Sequence, residues 1–158
     1  MPLGSGNHPG GGIRLSESSP LPLAWRLRAV VGMAVIPPLV SLISFSRLGA
    51  RLDRPADSPL APAPFDDEQF AAWVDRSLRR LPGPWRHTCL KRSAVLFYLL
   101  RHAGRPVQLC IGVRRDDEGR LTAHAWLTRE GQPYLEHTSE SMLHRVIARL
   151  PDDVPRAG

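Results

Sequence analysis

Thr88-Cys89-Leu90-Lys91-Arg92-Ser93-Ala94-Val95-Leu96-Phe97-Tyr98-Leu99-Leu100-Arg101-His102-Ala103-Gly104 is the stretch on which the fold turns. Thr88 suits an N-cap, and Gly104 with Pro106 just beyond closes the segment, so the pattern predicts a helix over about 89–103. Leu90, Ala94, Phe97 and Leu100 share one side, and Leu96 and Leu99 widen it. A helix this apolar belongs at the centre of a core. Two alternating segments follow. In 107–113, Val107, Leu109, Ile111 and Val113 alternate with Gln108, Cys110 and Gly112; in 121–128, Leu121, Ala123, Ala125 and Leu127 alternate with Thr122, His124, Trp126 and Thr128. That period of two predicts strands, with RRDDEG as the hairpin loop between them. A third strand over about 132–137 returns after Glu130-Gly131. Met142, Leu143, Val146, Ile147 and Leu150 have the spacing of a last helix over about 139–150, stopped by Pro151.

Upstream, Asp66 with Gln69 forms a capping box and Phe65 with Phe70 a hydrophobic staple. Phe70, Trp73, Val74, Leu78 and Leu81 then mark one face of a helix ending before Pro82. DRPADSPLAPAP, residues 53–64, is a Pro-rich linker. Ala29 to Phe45 is an uncharged run of 17 residues, at the lower limit of about 17 for crossing a bilayer. Arg26 and Arg28 flank it on one side, Arg47 and Arg51 on the other. Pro37 and Pro38 interrupt it, which favours a broken helical hairpin docked on the main domain or a partner over a membrane span. The expected organisation is a disordered segment over 1–22, a helical extension over 23–52, the linker over 53–64 and the main domain over 65–158.

The formal net charge is +6 over 158 residues. Residues 1–54 carry six Arg against Glu17 and Asp53, hence +4, and the remainder carries +2. No Lys/Arg-rich run or nucleic-acid motif occurs, so nucleic acid is not an expected partner. Cys89 and Cys110 are the two cysteines; a reducing compartment suits them as well as a single disulfide would. The opening MPLGSGNHPGGG is neutral and glycine-rich, not basic then apolar as in a secretory signal, so the cytoplasm is the expected location.

Cys89 opens the central helix, where unpaired N–H groups and the helix dipole favour a thiolate. His124 projects from a later strand, and a thiol at a helix start with a strand imidazole is an arrangement for nucleophilic catalysis. Glu136 is the expected group to orient the ring. A three-residue loop, Arg129-Glu130-Gly131, would set it directly across from His124. Candidate oxyanion donors are the Cys89 backbone N–H and the Trp85 indole N–H. His87, Cys89, Cys110, His124 and His137 lack the paired spacing of a zinc site, so no metal and no cofactor are expected. Cys110 reads as a packed side chain, and His102 and His144 as surface residues on helices.

CLKRS at 89–93, LLRHAGRP at 99–106, LCIGV at 109–113 and HAWL at 124–127, in that order, resemble the lasso-peptide B protein family over about residues 65–150. The match is closest to its discrete leader-peptidase half. The Arg-flanked segment at 25–52 is similar to that family's N-terminal helical region. The resemblance implies an α+β, transglutaminase-like (papain-like) cysteine peptidase core, with a central helix on a small antiparallel sheet and an N-terminal helical extension. It also implies a Cys-His-acid triad at Cys89, His124 and Glu136, where the family commonly has Asp. The implied activity is removal of a leader from a ribosomally made precursor, with a separate leader-recognition protein and a lactam-forming cyclase as partners. Acyl transfer by the same fold, or a non-catalytic peptide-binding scaffold, are the alternatives.

Overall fold

In the computed structural model, residues 22–52, 65–136 and 141–151 are described. The expected segment over 1–22, apart from Pro22, and the linker over 53–64 lie outside them. Among the described residues five helical elements precede the sheet: α1 (Leu23–Leu42), α2 (Phe45–Leu52), α3 (Asp67–Arg79), a 3₁₀ turn (Gly83–Trp85) and α4 (Cys89–His102). The strands β1 (Gln108–Arg115), β2 (Leu121–Arg129), β3 (Gln132–Tyr134) and β4 (Arg145–Leu150) follow. They form one antiparallel sheet in the order β3-β2-β1-β4.

Three of the four ends of α3 and α4 form for a local reason. Asp66 Oδ1 accepts from Gln69 N–H at 2.8 Å, capping α3, and Phe65 stacks on Phe70 with ring centroids 4.3 Å apart. Thr88 Oγ1 accepts from Lys91 N–H at 3.3 Å, so α4 begins at Cys89. Gly104, at φ 74°, takes the left-handed step that ends it. Ala94, Val95, Leu96, Phe97, Leu99 and Leu100 are fully buried, and α4 is the central helix. Leu109 of β1 and Leu127 of β2 pack into the same core from the sheet, while Ala29, Met33 and Ile36 of α1 and Leu48 and Leu52 of α2 enter it too.

The structure corrects the expected break at Pro37-Pro38: α1 runs through both prolines and stops at Ile43. Pro38 has no N–H to give to the carbonyl of Ala34, four residues back. Trp85 Nε1–H donates to that oxygen at 2.7 Å instead. Ser41 Oγ bonds Pro37 O one turn further on. By length and hydropathy α1 could cross a bilayer, yet a third of its apolar window is buried against the rest of the fold.

The expected last helix is a strand. β1 offers an open edge on the side away from β2, and RVIARL pairs with it: Leu109 with Leu150, Cys110 with Arg149, Ile111 with Ala148 and Gly112 with Val146. Ile147 is the extra residue of a bulge between the last two pairs. Met142, Leu143 and Ile147, which gave the helical spacing, are 60–70% exposed. His102 also departs from expectation, because it is buried and its Nδ1–H donates to Tyr98 O at 2.7 Å.

Candidate active site

Ala125 and Leu127 of β2 are buried, and Leu127 enters the core beneath α4; alternation therefore sends His124, Trp126 and Thr128 to the other face. The connection between His124 and α4 runs around the sheet edge, where β3 is only three residues long. Glu136 makes it. Its Oε2 accepts from His124 Nε2–H at 3.1 Å, and its Oε1 accepts from Arg92 at 2.7 Å. With Nε2 protonated toward the carboxylate, Nδ1 is left as the basic nitrogen of the ring.

The route by which Glu136 arrives differs from the expected one. Glu130 and Gly131 sit at φ 53° and 78°, forming a two-residue turn with both central residues left-handed. The register pairs Leu127 with Tyr134, Thr128 with Pro133 and Arg129 with Gln132. Continued, it would set Glu136 opposite Ala125. Pairing ends at Tyr134, however, and Leu135 takes φ 57°, a conformation that costs an L-residue about 1–2 kcal/mol. That corner turns Glu136 to His124. Tyr134 O–H donates to Asp67 Oδ2 at 2.7 Å and Arg92 donates to Leu135 O at 2.7 Å, pinning both sides of it. Burial and the Asp67 carboxylate raise the pKa of Tyr134, keeping its hydroxyl a donor.

Arg92 was not singled out from the sequence. Besides Glu136 and Leu135 O it donates to Asp75 Oδ1 at 2.8 Å, with only 13% of its side chain exposed. Cys89 lies three residues before Arg92 and four before Ser93, whose hydroxyl donates to Ala125 O at 2.9 Å. Residues at that spacing share a helix face, with Cβ atoms about 5–6 Å apart. Cys89 therefore stands one turn from both contacts that tie α4 to the His124 strand and to Glu136. It is a free, part-exposed thiol. Its backbone N–H is among those of the first turn that have no intrahelical acceptor. Among the described residues no hydrogen bond joins Cys89 to His124; catalytic contacts often tighten only when substrate is bound.

The chain belongs to the transglutaminase-like superfamily. The sequence profile of that superfamily matches residues 23–148, four-fifths of the chain and all of its sheet but the end of β4. Comparison with curated proteins and with solved structures returns no match. The superfamily includes cysteine peptidases and acyltransferases and is usually catalytic.

Within this transglutaminase-like frame the remaining sequence candidates fall elsewhere. The Trp85 N–H, expected as an oxyanion donor, is engaged by Ala34 O. Cys110 is buried, shares a hydrogen bond with Thr128 at 3.6 Å, and burial raises its pKa. His87 faces Asp75 at 3.7 Å. His144 precedes β4 and packs its ring against His124 at 5.5 Å, so it is neither helical nor a bare surface residue. No group of three His, Cys, Asp or Glu able to hold a metal occurs among the described residues, and His137 lies outside them.

Proposed function

We propose that this transglutaminase-like chain is a cysteine peptidase that cuts the leader from a ribosomally made, lasso-type precursor peptide. The observation that carries the reading is the relay from α4 to His124: Arg92 holds one oxygen of Glu136 and His124 Nε2–H bonds the other, with Cys89 one helical turn away. The ordered CLKRS, LLRHAGRP, LCIGV and HAWL segments supply the substrate class.

In the proposed reaction His124 Nδ1 takes the Cys89 thiol proton and the thiolate attacks the carbonyl at the leader–core junction. The first-turn N–H groups of α4, Cys89 among them, face the charge that develops on oxygen. The imidazolium then gives its proton to the departing amine. A thioester remains, and His124 activates water to release it. Glu136 keeps the ring in one tautomer and balances its charge. A leader-recognition protein would present the precursor, and a lactam-forming cyclase would take the core onward.

The test is cleavage of a lasso-type precursor, with its recognition protein, followed by mass spectrometry. Cys89→Ala is expected to give no fragments while keeping its circular dichroism and melting transition. Full cleavage by a folded Cys89→Ala protein overturns the reading. Acyl transfer, the other activity of the superfamily, would show as a new amide in place of two fragments.

A further inference from the structure

On the face of the sheet that carries His124 there is a cavity of about 270 Å³. The register places its floor: Trp126, Cys110 and Arg149 form one row across three strands, and the row beside it, His124, Gly112 and Val146, meets the cavity at Val146. Trp126 lies nearly parallel to the His124 ring, with centroids 5.8 Å apart and planes 13° apart. His144 tilts against both rings, at 5.5 and 6.3 Å. Gly112 permits this packing, since a Cβ there would meet Trp126 at 2.7 Å and His144 Cβ at 2.8 Å. The cavity thus lies on the far side of Trp126 and His144 from the His124 ring. Pro133 and Val146 continue its apolar sides, and Met142 stands at the rim, 70% exposed.

We infer that this cavity is the subsite for an apolar side chain on the amine side of the scissile bond, at the first or second residue after it. The inference rests on the peptidase reading. The general acid must lie against the group that receives its proton, so the residues bearing the departing amine pass over His124. Across Trp126 and His144 there is room for their side chains. Thr128, Gln132 and Arg149 add polar edges to this lining; a cavity of about 150 Å³ already admits benzene, so this one has room for side chains of leucine or phenylalanine size. By microscopic reversibility the same subsite selects an incoming amine.

An activated ester tests this without the natural substrate. With Cbz-glycine p-nitrophenyl ester the Cys89 sulfur bonds the acyl carbon and p-nitrophenolate leaves. An added amine then forms the amide as the C–S bond breaks, its proton passing to His124. Acceptors are glycine, leucine and phenylalanine amides, and glycyl-glycine, glycyl-leucine and glycyl-phenylalanine amides. Products are counted by mass spectrometry after subtracting the Cys89→Ala background. At one of the two positions, leucine or phenylalanine is expected to capture the acyl group roughly tenfold better than glycine, in line with hydrophobic-pocket selectivity. Val146→Trp, which fills the cavity, should bring that ratio toward one, and Met142→Ala should lower it without any core change. Equal capture of all acceptors by an acyl-enzyme that does form overturns the subsite and leaves the peptidase reading standing. So does a preference that survives in both variants. Failure of Cys89 to acylate at all sinks the peptidase reading and the subsite with it.

Discussion

Glu136 is held from two sides, by Arg92 at 2.7 Å and by His124 at 3.1 Å, with 11% of its side chain exposed. Removing one member of a buried ion pair leaves the other charge uncompensated and costs about 3–5 kcal/mol. Arg92→Met is therefore expected to lower stability by about 3 kcal/mol in urea unfolding, with Arg92→Lys recovering only part. Glu136→Gln keeps an acceptor for the ring but loses the charge that favours imidazolium. Its expected effect is a fall in kcat of about 10²-fold or more, within the range of general acid–base contributions, with KM little changed. The two cysteines separate by environment. Burial raises the pKa of Cys110, so less of it is thiolate at neutral pH and its alkylation should become appreciable only at higher pH. Iodoacetamide at neutral pH should thus label Cys89 well ahead of Cys110, and His124→Ala should slow the Cys89 reaction more than tenfold. Equal labelling of both, by peptide mapping, would contradict an activated Cys89. The places of Cys89 at the head of α4 and of His124 on β2 were legible in the sequence because a cap and a two-residue alternation set them without tertiary information. Arg92 was not, since its partners come from 17, 43 and 44 residues away.

At the scale of elements, short-range chemistry was legible and long-range compensation was not. Thr88, Asp66 and Gly104 mark helix ends within four residues, and α3 and α4 form where those signals stand. β4 was misread because exposed Met142, Leu143 and Ile147 mimic a helical stripe, while the open edge of β1 decides the matter from more than 30 residues away. The double proline was misread for a similar reason. A carbonyl without its helical partner asks for a donor, and the donor at Ala34 is Trp85, 51 residues on. Trp85→Phe separates the two roles considered for this side chain. Loss of the hydrogen bond is expected to cost about 1 kcal/mol, seen as a small drop in melting temperature with kcat unchanged. Loss of an oxyanion donor would instead lower kcat by about 10²–10³-fold.

For the whole molecule, the question is whether residues 23–52 are an appendage or part of the folding unit. Ala29, Met33, Ile36, Leu48 and Leu52 are each 5% exposed or less and share one cluster with Phe70, Val74, Leu96, Leu99 and Leu127. The superfamily match begins at residue 23 as well. Deleting a buried Ile or Met side chain costs about 2–5 kcal/mol, against a total stability of about 5–15 kcal/mol for an ordinary domain. Losing α1 and α2 removes several such side chains together and bares the face of α4 they cover. Residues 53–158 alone are therefore expected to show no cooperative thermal transition and to bind a dye for exposed apolar surface. Ile36→Ala in the full chain should keep the transition but lower stability by about 2–5 kcal/mol. A fragment 53–158 that melts cooperatively near the full-length temperature would show that the helices only decorate a self-sufficient core. Among the described residues the larger hydrophobic cluster includes side chains of both N-terminal helices, so the expected result is that the position of Cys89 at the head of α4 depends on helices that end well before it in the chain.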